Sequence, residues 1–396
     1  MPGESKLILG SVTASRIVYA LCWFNLAAAF PAMSASLNYS IQDLGLLTAS
    51  FLLGTGLFQI PAGLFSTQRG SAKVALIGLA IIAVTSAVSA VVADFQVQLL
   101  VRFLTGLGSA FYFSPALVIA SSTLGDHRSG LALGLYNGSF QVGGGIAVFA
   151  FTPIAATFGW QLPFIMTSLL TFVVLGENLY ALRKWDEPQR TTLSGTRKTL
   201  LSKDVWIAIV ATLGLSSAFY VLTQFEVSYA EGVLRYTPFI AGVFSALTLI
   251  GALIGAPFWG FVADKLRNRR LIILLTALGG GLSIGLFALG NSVDTWIAAF
   301  VTGFFVLGSL TNLYAYPIQL PWIGRRLAPI SLGLINGISI FGGAVATSEF
   351  PGIVLLYGYQ YTWIILSIAS LLLAPLIFLA REPYKAHAKS ATETQV

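Results

Sequence analysis

Charge is what this chain has least of. Of its 396 residues only 9% are Asp, Glu, Lys or Arg, whereas 56% are hydrophobic, and its mean hydropathy is +0.83. A water-soluble domain carries about 25% charged residues. A chain this apolar could not cover a surface facing water, so its solvent is lipid. Cysteine is almost absent: Cys22 stands alone, which excludes an intrachain disulfide and a thiolate metal cluster. The two histidines, His127 and His387, fall outside the long apolar runs, which argues against a haem or His-based metal site among them. A Walker-type phosphate loop is missing, so ATP drive within the chain is not expected. With no His, a lone Cys and no clustered carboxylates in the apolar runs, an integral membrane enzyme is disfavoured. The expectation is a protein that is not an enzyme and has no cofactor or metal.

What the chain does have is long apolar runs without period-two alternation, the pattern of helices and not of a β-barrel. Twelve can be read: 12–33, 44–66, 72–93, 96–121, 130–153, 160–182, then 204–229, 238–262, 270–290, 294–318, 330–355 and 361–381. The first is taken as a span and not as a cleaved leader. Basic residues then set the orientation. With the N-terminus in the cytoplasm, 20 of the 22 Lys and Arg lie in cytoplasmic segments or at helix ends there; Arg235 lies outside and Arg102 within a span. Both termini are therefore expected in the cytoplasm and the protein in the plasma or inner membrane. The net charge of +7 reflects this asymmetry and contact with anionic lipids, not nucleic-acid binding.

The chain also repeats itself. "LGLYNG" at 133–138 returns as "LGLING" at 332–337, and each runs on into paired glycines, Gly143-Gly144 and Gly342-Gly343. Gly159-Trp160-Gln161 returns as Gly358-Tyr359-Gln360, and Gly63 matches Gly260. A charged, Ser/Thr-rich stretch separates the copies. The domains expected are an N-terminal six-helix half at 1–185, a cytoplasmic linker at 186–203, and a C-terminal six-helix half with a cytoplasmic tail at 204–396. Each half starts from the same side, so the repeat is parallel, about an axis along the membrane normal, with a solute site between the halves.

The stretch "GFVADKLRNRR", Gly260 to Arg270, is similar to the cytoplasmic signature of the major facilitator superfamily, with Arg267 in the place of its second glycine. The first-half copy, "GLFSTQRGSAK", keeps Gly63 and Gly70 but carries Thr67 where the acid belongs. "RFLTGLGSA", Arg102 to Ala110, resembles the family's fourth-span Arg-x-x-x-Gly-x-Gly pattern. The resemblance covers essentially the whole chain. It implies an all-α fold of twelve transmembrane helices in two halves, alternating access, and a latch at Gly260, Asp264, Arg269 and Arg270 that holds the outward-facing state. Asp264 could accept hydrogen bonds from helix N-terminal amides across the half-to-half interface, and the arginines could pair with carboxylates or lipid phosphates. Spans five and eight, and two and eleven, would meet between the halves, where small residues permit close approach. The glycine-rich spans are also similar to those of nitrate/nitrite porters. Those carriers hold the anion with arginines in spans two and eight, and neither span here has an interior arginine.

Polar groups inside the spans are few. Charges at mid-membrane cost about 2.5–3.5 kcal/mol each, which singles out Arg102, Glu226 and Glu349. Arg16 and Glu177 are expected near the inner surface. Asn25, Tyr112, Asn137, Gln141, Tyr220, Gln224, Asn312, Tyr316 and Asn336 lie in spans that the resemblance implies line the cavity. With Arg102 they are the expected solute-binding residues. Glu349 and Glu226 are the expected proton-coupling carboxyls, Glu349 under the influence of Arg102. The reading is a monomeric, proton-coupled secondary transporter of a small polar or anionic organic solute. A proton-driven exporter of drugs or lipophilic cations is one alternative, and a transporter-like sensor or scaffold another. Cysteine labelling tests the topology: after Ser292→Cys or Ser194→Cys in a Cys22→Ser background, only position 292 should react from outside intact cells.

Overall fold

The computed structural model of the protein describes residues 2–123, 129–183, 185, 200–290 and 292–384. Among the described residues all regular structure is helical: α1 (Pro2–Leu37), α2 (Ile41–Arg69), α3 (Ser71–Val91), α4 (Phe95–Thr123), α5 (Ser129–Ile146), α6 (Thr152–Phe158), α7 (Gln161–Ala181), α8 (Lys203–Gly232), α9 (Pro238–Leu266), α10 (Arg269–Leu286), α11 (Ser292–Ile318) and α12 (Gly324–Leu373). A π-helical turn, Ala147–Phe151, joins α5 to α6. Among the described residues eleven helices are long and apolar enough to cross a membrane. The expected linker falls, at 186–199, outside the described residues, as do His127 and His387.

Local chemistry sets several of the helix starts. Ser40 and Asp43 form a reciprocal capping box on α2. The Thr237 hydroxyl caps α9 ahead of Pro238, and the Asn268 side chain accepts from the Leu271 amide at 3.2 Å to start α10. α12 spans 50 residues and is interrupted at Gly358, where φ is 80° and ψ 165°. An unbroken helix of that length would measure about 75 Å, more than twice the ~30 Å hydrocarbon layer. Glycine tolerates the positive φ that re-aims the chain, and the eleventh and twelfth expected runs lie on either side of it.

α1 packs on α5 and α7, α2 and α3 pack on α4, and α3 also on α7. In the second part α8 packs on α12, α9 on α11, and α10 on α11 and α12. The two groups meet where α2 touches α12, α5 touches α9 and α1 touches α8. The repeated glycines do one job twice. Gly143 abuts the α1 backbone at Ile17 and Gly144 the ring of Phe24; Gly342 abuts Leu213 and Ser217 of α8, and Gly343 abuts Tyr220.

Glycine also reports how tightly the groups meet along their length. A Cβ on Gly45 would lie 2.6 Å from the Thr347 carbonyl oxygen, and one on Gly242 2.6 Å from that of Val148. Further along α2, a Cβ on Gly56 would lie 3.2 Å from the Gly337 carbonyl oxygen, and Gly333 reaches Ile60 only at 4.0 Å. Along α9 the same drift appears: Leu249 lies 3.0 Å from a Cβ on Gly144, Leu253 lies 3.5 Å from one on Gly138, and Gly134 has nothing within 4 Å. The seam is therefore a wedge, closed at the first turns of α2 and α9 and widening toward their last turns.

Within the second group, α9 and α11 touch backbone to backbone. A Cβ on Gly303 would strike the Thr248 carbonyl, and one on Gly251 that of Phe300. Backbone cannot yield as a side chain can, so overpacking here costs at least about 1–3 kcal/mol. Gly303→Leu should lower the melting temperature of the detergent-solubilised protein by several degrees, whereas Gly176→Leu, with open space around it, should leave it unchanged.

Candidate functional site

The wide part of the seam holds a buried cation. Arg16 is only 6% exposed. Its guanidinium lies over four aromatic rings, those of Tyr19 at 4.5 Å, Phe140 at 4.5 Å, Phe113 at 4.7 Å and Tyr136 at 4.9 Å. Its Nε and Nη1 have no hydrogen-bond partner. One turn of α1 brings Tyr19 onto the same face, and Phe140 and Tyr136 come from one face of α5. From the second group, Tyr220 of α8 and Tyr314 of α11 lie within electrostatic range of Arg16. Cation–π contacts stabilise by about 0.5–2 kcal/mol each, against a desolvation cost of several kcal/mol. No carboxylate forms an ion pair with Arg16 among the described residues.

Trp23, two turns along from Arg16, crosses the seam. Its indole stacks on Tyr220 with centroids 6.1 Å apart and planes at 29°, and also meets Phe140 and Phe51 edge-on. Its backbone oxygen accepts from Gln224 Nε2 at 3.3 Å. The Trp23 Nε1 and the Gln224 Oε1 are buried without partners. Gln141 is 8% exposed and its Oε1 is also unpartnered. It sits between Gly138 and Gly144, both of which abut α9, so it faces the same seam.

Arg102 is buried behind this layer. Its Nη1 donates to Asn25 Oδ1 at 3.3 Å, and its guanidinium lies 4.7 Å over Phe51. Asn25 in turn donates to Thr167 of α7 at 3.4 Å. The Nε and Nη2 of Arg102 have no partner. Glu226 is 1% exposed and accepts from Thr248 Oγ1 at 2.7 Å. Glu349 is exposed on α12, and no ion pair joins it to Arg102.

The remaining expected residues divide. Tyr112 is buried against Tyr19 and donates to the Val12 carbonyl at 3.0 Å. Asn336 is buried and accepts from Tyr314 Oη at 3.0 Å. Asn137, its repeat partner, is exposed. Asn312 and Tyr316 lie away from the seam, in a cluster around Arg269. There Arg269 donates to Asn312 Oδ1 at 2.7 Å, to Gln319 Oε1 at 2.8 Å, to Tyr384 Oη at 3.2 Å and to Asp264 Oδ1, while Tyr316 donates to the Arg381 carbonyl at 2.6 Å. Glu382 accepts from the backbone amides of Arg269 and Arg270, each at 3.0 Å, so it sits on the N-terminus of α10. Asp264 is exposed, and its partners, Arg269 and Tyr384, belong to its own group of helices. The bonds expected from Asp264 across the seam are thus absent from its recorded partners. Gly260 abuts only Thr311, at 3.7 Å.

Two features were not expected: the aromatic cage of Arg16, and the part played by Glu382 and Tyr384. For the cage a signal exists, since Tyr19 and Trp23 follow Arg16 at helical spacing of three and seven. For the tail none does, because contacts across more than 100 residues leave no local pattern.

The profile of the Major Facilitator Superfamily matches residues 12–348. Inner membrane transport protein YdhP of Escherichia coli (strain K12) is 22% identical over 61% of this chain and 62% of its own length. A putative proline/betaine transporter of Staphylococcus aureus (strain COL) is 26% identical over 62% of this chain and 57% of its own. The chain thus spans about three-fifths of the length of these two relatives. The fosmidomycin resistance protein of Escherichia coli (strain K12) is 21% identical over 85% of this chain and 82% of its own. The chain belongs to the Major Facilitator Superfamily.

Removing the Glu382 carboxylate would leave two amides of the first α10 turn without acceptors. Hydrogen bonds to charged acceptors contribute about 1.5–3 kcal/mol. In Glu382→Ala, amide exchange at Arg269 and Arg270 should quicken about tenfold or more, a change of at least about 1.4 kcal/mol in local opening, with exchange in α4 unaltered.

Proposed function

We propose that this superfamily member is a secondary transporter that moves a small organic anion across the membrane by alternating access, with the solute bound at Arg16 between two six-helix halves. The carrying observation is the buried guanidinium with two unpartnered nitrogens at the widening part of the seam. A cation so placed has no carboxylate ion pair among the described residues, and a solute carboxylate would supply one. The halves correspond to α1–α7 and α8–α12, with α12 counted as two crossings about Gly358, which makes twelve. Equivalent seating of Gly143-Gly144 on α1 and Gly342-Gly343 on α8 supports that pairing. Both termini lie in the cytoplasm of a plasma or inner membrane, so the wide end of the wedge faces inward, and the monomer is the working unit.

We assign proton carriage to Glu226, which is buried with only a hydroxyl as recorded partner. A charged carboxylate there costs about 2.5–3.5 kcal/mol, and taking up a proton removes that charge. Glu349, exposed on α12, is the second candidate. Asp264 and Arg269 work in this scheme as the latch: in the inward-open state their bonds stay within one half, and closure of the wide end re-forms the contact across the seam. One relative is named for resistance and another for transport, so export of a toxic organic anion is the second reading.

Proteoliposomes loaded with acetate, succinate or benzoate, and in parallel with glucose or tetraphenylphosphonium, test the proposal. Counterflow should be seen with at least one carboxylate and lost by more than tenfold in Arg16→Gln. Glu226→Gln should keep exchange but lose accumulation driven by an imposed pH difference. Flux of the neutral or cationic probes alone, or wild-type anion flux in Arg16→Gln, would overturn it.

A further inference from the structure

The same site carries information about what kind of anion it takes, an inference that rests on the reading of Arg16 as the solute's counter-charge. Among the buried side-chain atoms without partners, five lie around Arg16 and Trp23 at the seam. On the donor side stand Arg16 Nε and Nη1 and Trp23 Nε1; on the acceptor side stand Gln141 Oε1 and Gln224 Oε1. All four residues are at least nine-tenths buried. Unmade hydrogen bonds of this kind are costly, and a site retains them where a ligand completes them. The donors call for a negatively charged group. The acceptors call for a hydroxyl or amine hydrogen at another point on the same molecule.

The walls between these two ends are aromatic. Phe140 touches both the Arg16 guanidinium and the Trp23 indole. Trp23 and Tyr220 face each other from opposite sides of the seam with centroids 6.1 Å apart. Rings stack at about 3.5–4 Å between atoms, so a flat ring inserted between the two needs about 7 Å between their planes, and the stacked pair has to part to admit it. A seam that is already a wedge can supply that by a small rotation. A tetrahedral, heavily hydrated inorganic anion would lose its water here against ring faces that offer it no hydrogen bonds.

We infer that the solute is a flat aromatic or conjugated monocarboxylate that carries a hydroxyl or amino group away from its carboxylate, its acid end at Arg16, its ring between Trp23 and Tyr220, and its second polar group on Gln224. Gln224 is chosen over Gln141 because it lies one turn from Tyr220 on α8 and bonds the Trp23 backbone. It is a specificity residue: it selects among carboxylates and does not hold the charge.

Calorimetry on the full-length protein in nanodiscs tests this with 4-hydroxybenzoate, benzoate, cyclohexanecarboxylate and inorganic sulfate. 4-Hydroxybenzoate should bind at least tenfold more tightly than benzoate, benzoate more tightly than cyclohexanecarboxylate, and sulfate not at all. A site built to hydrogen-bond a hydroxyl rejects the analogue that lacks one. In Gln224→Met the gap between 4-hydroxybenzoate and benzoate should close while benzoate affinity is kept. Tyr220→Leu should weaken both aromatic acids toward cyclohexanecarboxylate. Equal affinities for the three organic acids, with binding still lost in Arg16→Gln, would overturn this inference and leave the anion reading standing. Binding of none of them, or binding indifferent to Arg16→Gln, would overturn both.

Discussion

Helices in hydrocarbon gain nothing by hiding apolar surface from one another, because lipid is as apolar as leucine. They associate through close van der Waals contact, and close contact requires small residues. Everything else in this protein depends on that constraint. α9 and α11 meet backbone to backbone through Gly251 and Gly303, and α2 and α4 do so through Gly54 and Gly106. Such contacts leave no slack between these helices. The seam between the groups is different. It is tight at Gly45 and Gly242 and loosens in a regular progression toward Gly134 and Gly333. In the proposed scheme a gap that widens steadily would close by rotation, with its pivot near the tight end.

Within that seam a buried charge has to be reconciled with its surroundings. Arg16 and Arg102 are both enclosed and both lack a carboxylate partner among the described residues, yet their settings differ. Arg102 is tied to Asn25, and through it to Thr167, within the first group of helices. Its neighbours all move with it. Arg16 sits where rings from the first group meet the electrostatic reach of Tyr220 and Tyr314 from the second. Relative movement of the groups therefore changes the surroundings of Arg16 much more than those of Arg102. In the proposed scheme a ligand at Arg16 would touch both groups and bias their equilibrium, and Arg102 would hold the first group together. Ligands shift conformations only through such differential contacts.

Much of the scaffold was legible beforehand because it follows from patterns along the chain. Long apolar runs define helices, and the doubled "LGLYNG"/"LGLING" stretch marks glycines that seat α5 on α1 and the first arm of α12 on α8. The facing of single residues was less legible. Asn137 follows the fully buried Tyr136, and Glu349 precedes the buried Phe350. A step of one residue turns a helix by about 100°, enough to carry a polar side chain from the interior to the exposed side. Facing decided a second case as well. Asn312 and Tyr316, one turn apart on α11, join the Arg269 cluster, whereas Tyr314 between them, about 200° around the helix, bonds Asn336 and lies within electrostatic range of Arg16. Charge content misled in one place: Arg16 counts as a topology charge near a helix end, and only its ring of aromatics, drawn from α1, α4 and α5, identifies it as buried.

The Arg269 cluster and the wedge explain each other. Asp264 lies on the last turn of α9, at the end where the seam stands open, and its side chain is 65% exposed. Its recorded bonds go to Arg269 and Tyr384. With the facing helices withdrawn, a carboxylate there has a free side, and the guanidinium that holds it is itself fixed by Asn312 and Gln319 of the α11 end and, through its amide, by Glu382. The cluster thus pre-positions the acid without consuming all of its lone pairs. Rotation toward closure would bring the other half against that free side, while opening would return it to water. The first half has Thr67 in the corresponding place and cannot offer the same charge, so an electrostatic hold at the wide end would come from the second half alone. In the proposed scheme one acidic contact would be weak enough to be made and broken by the binding of a single anion at Arg16, because exposed charge pairs contribute only about 0–1 kcal/mol. A second such contact would deepen the closed state and slow its release.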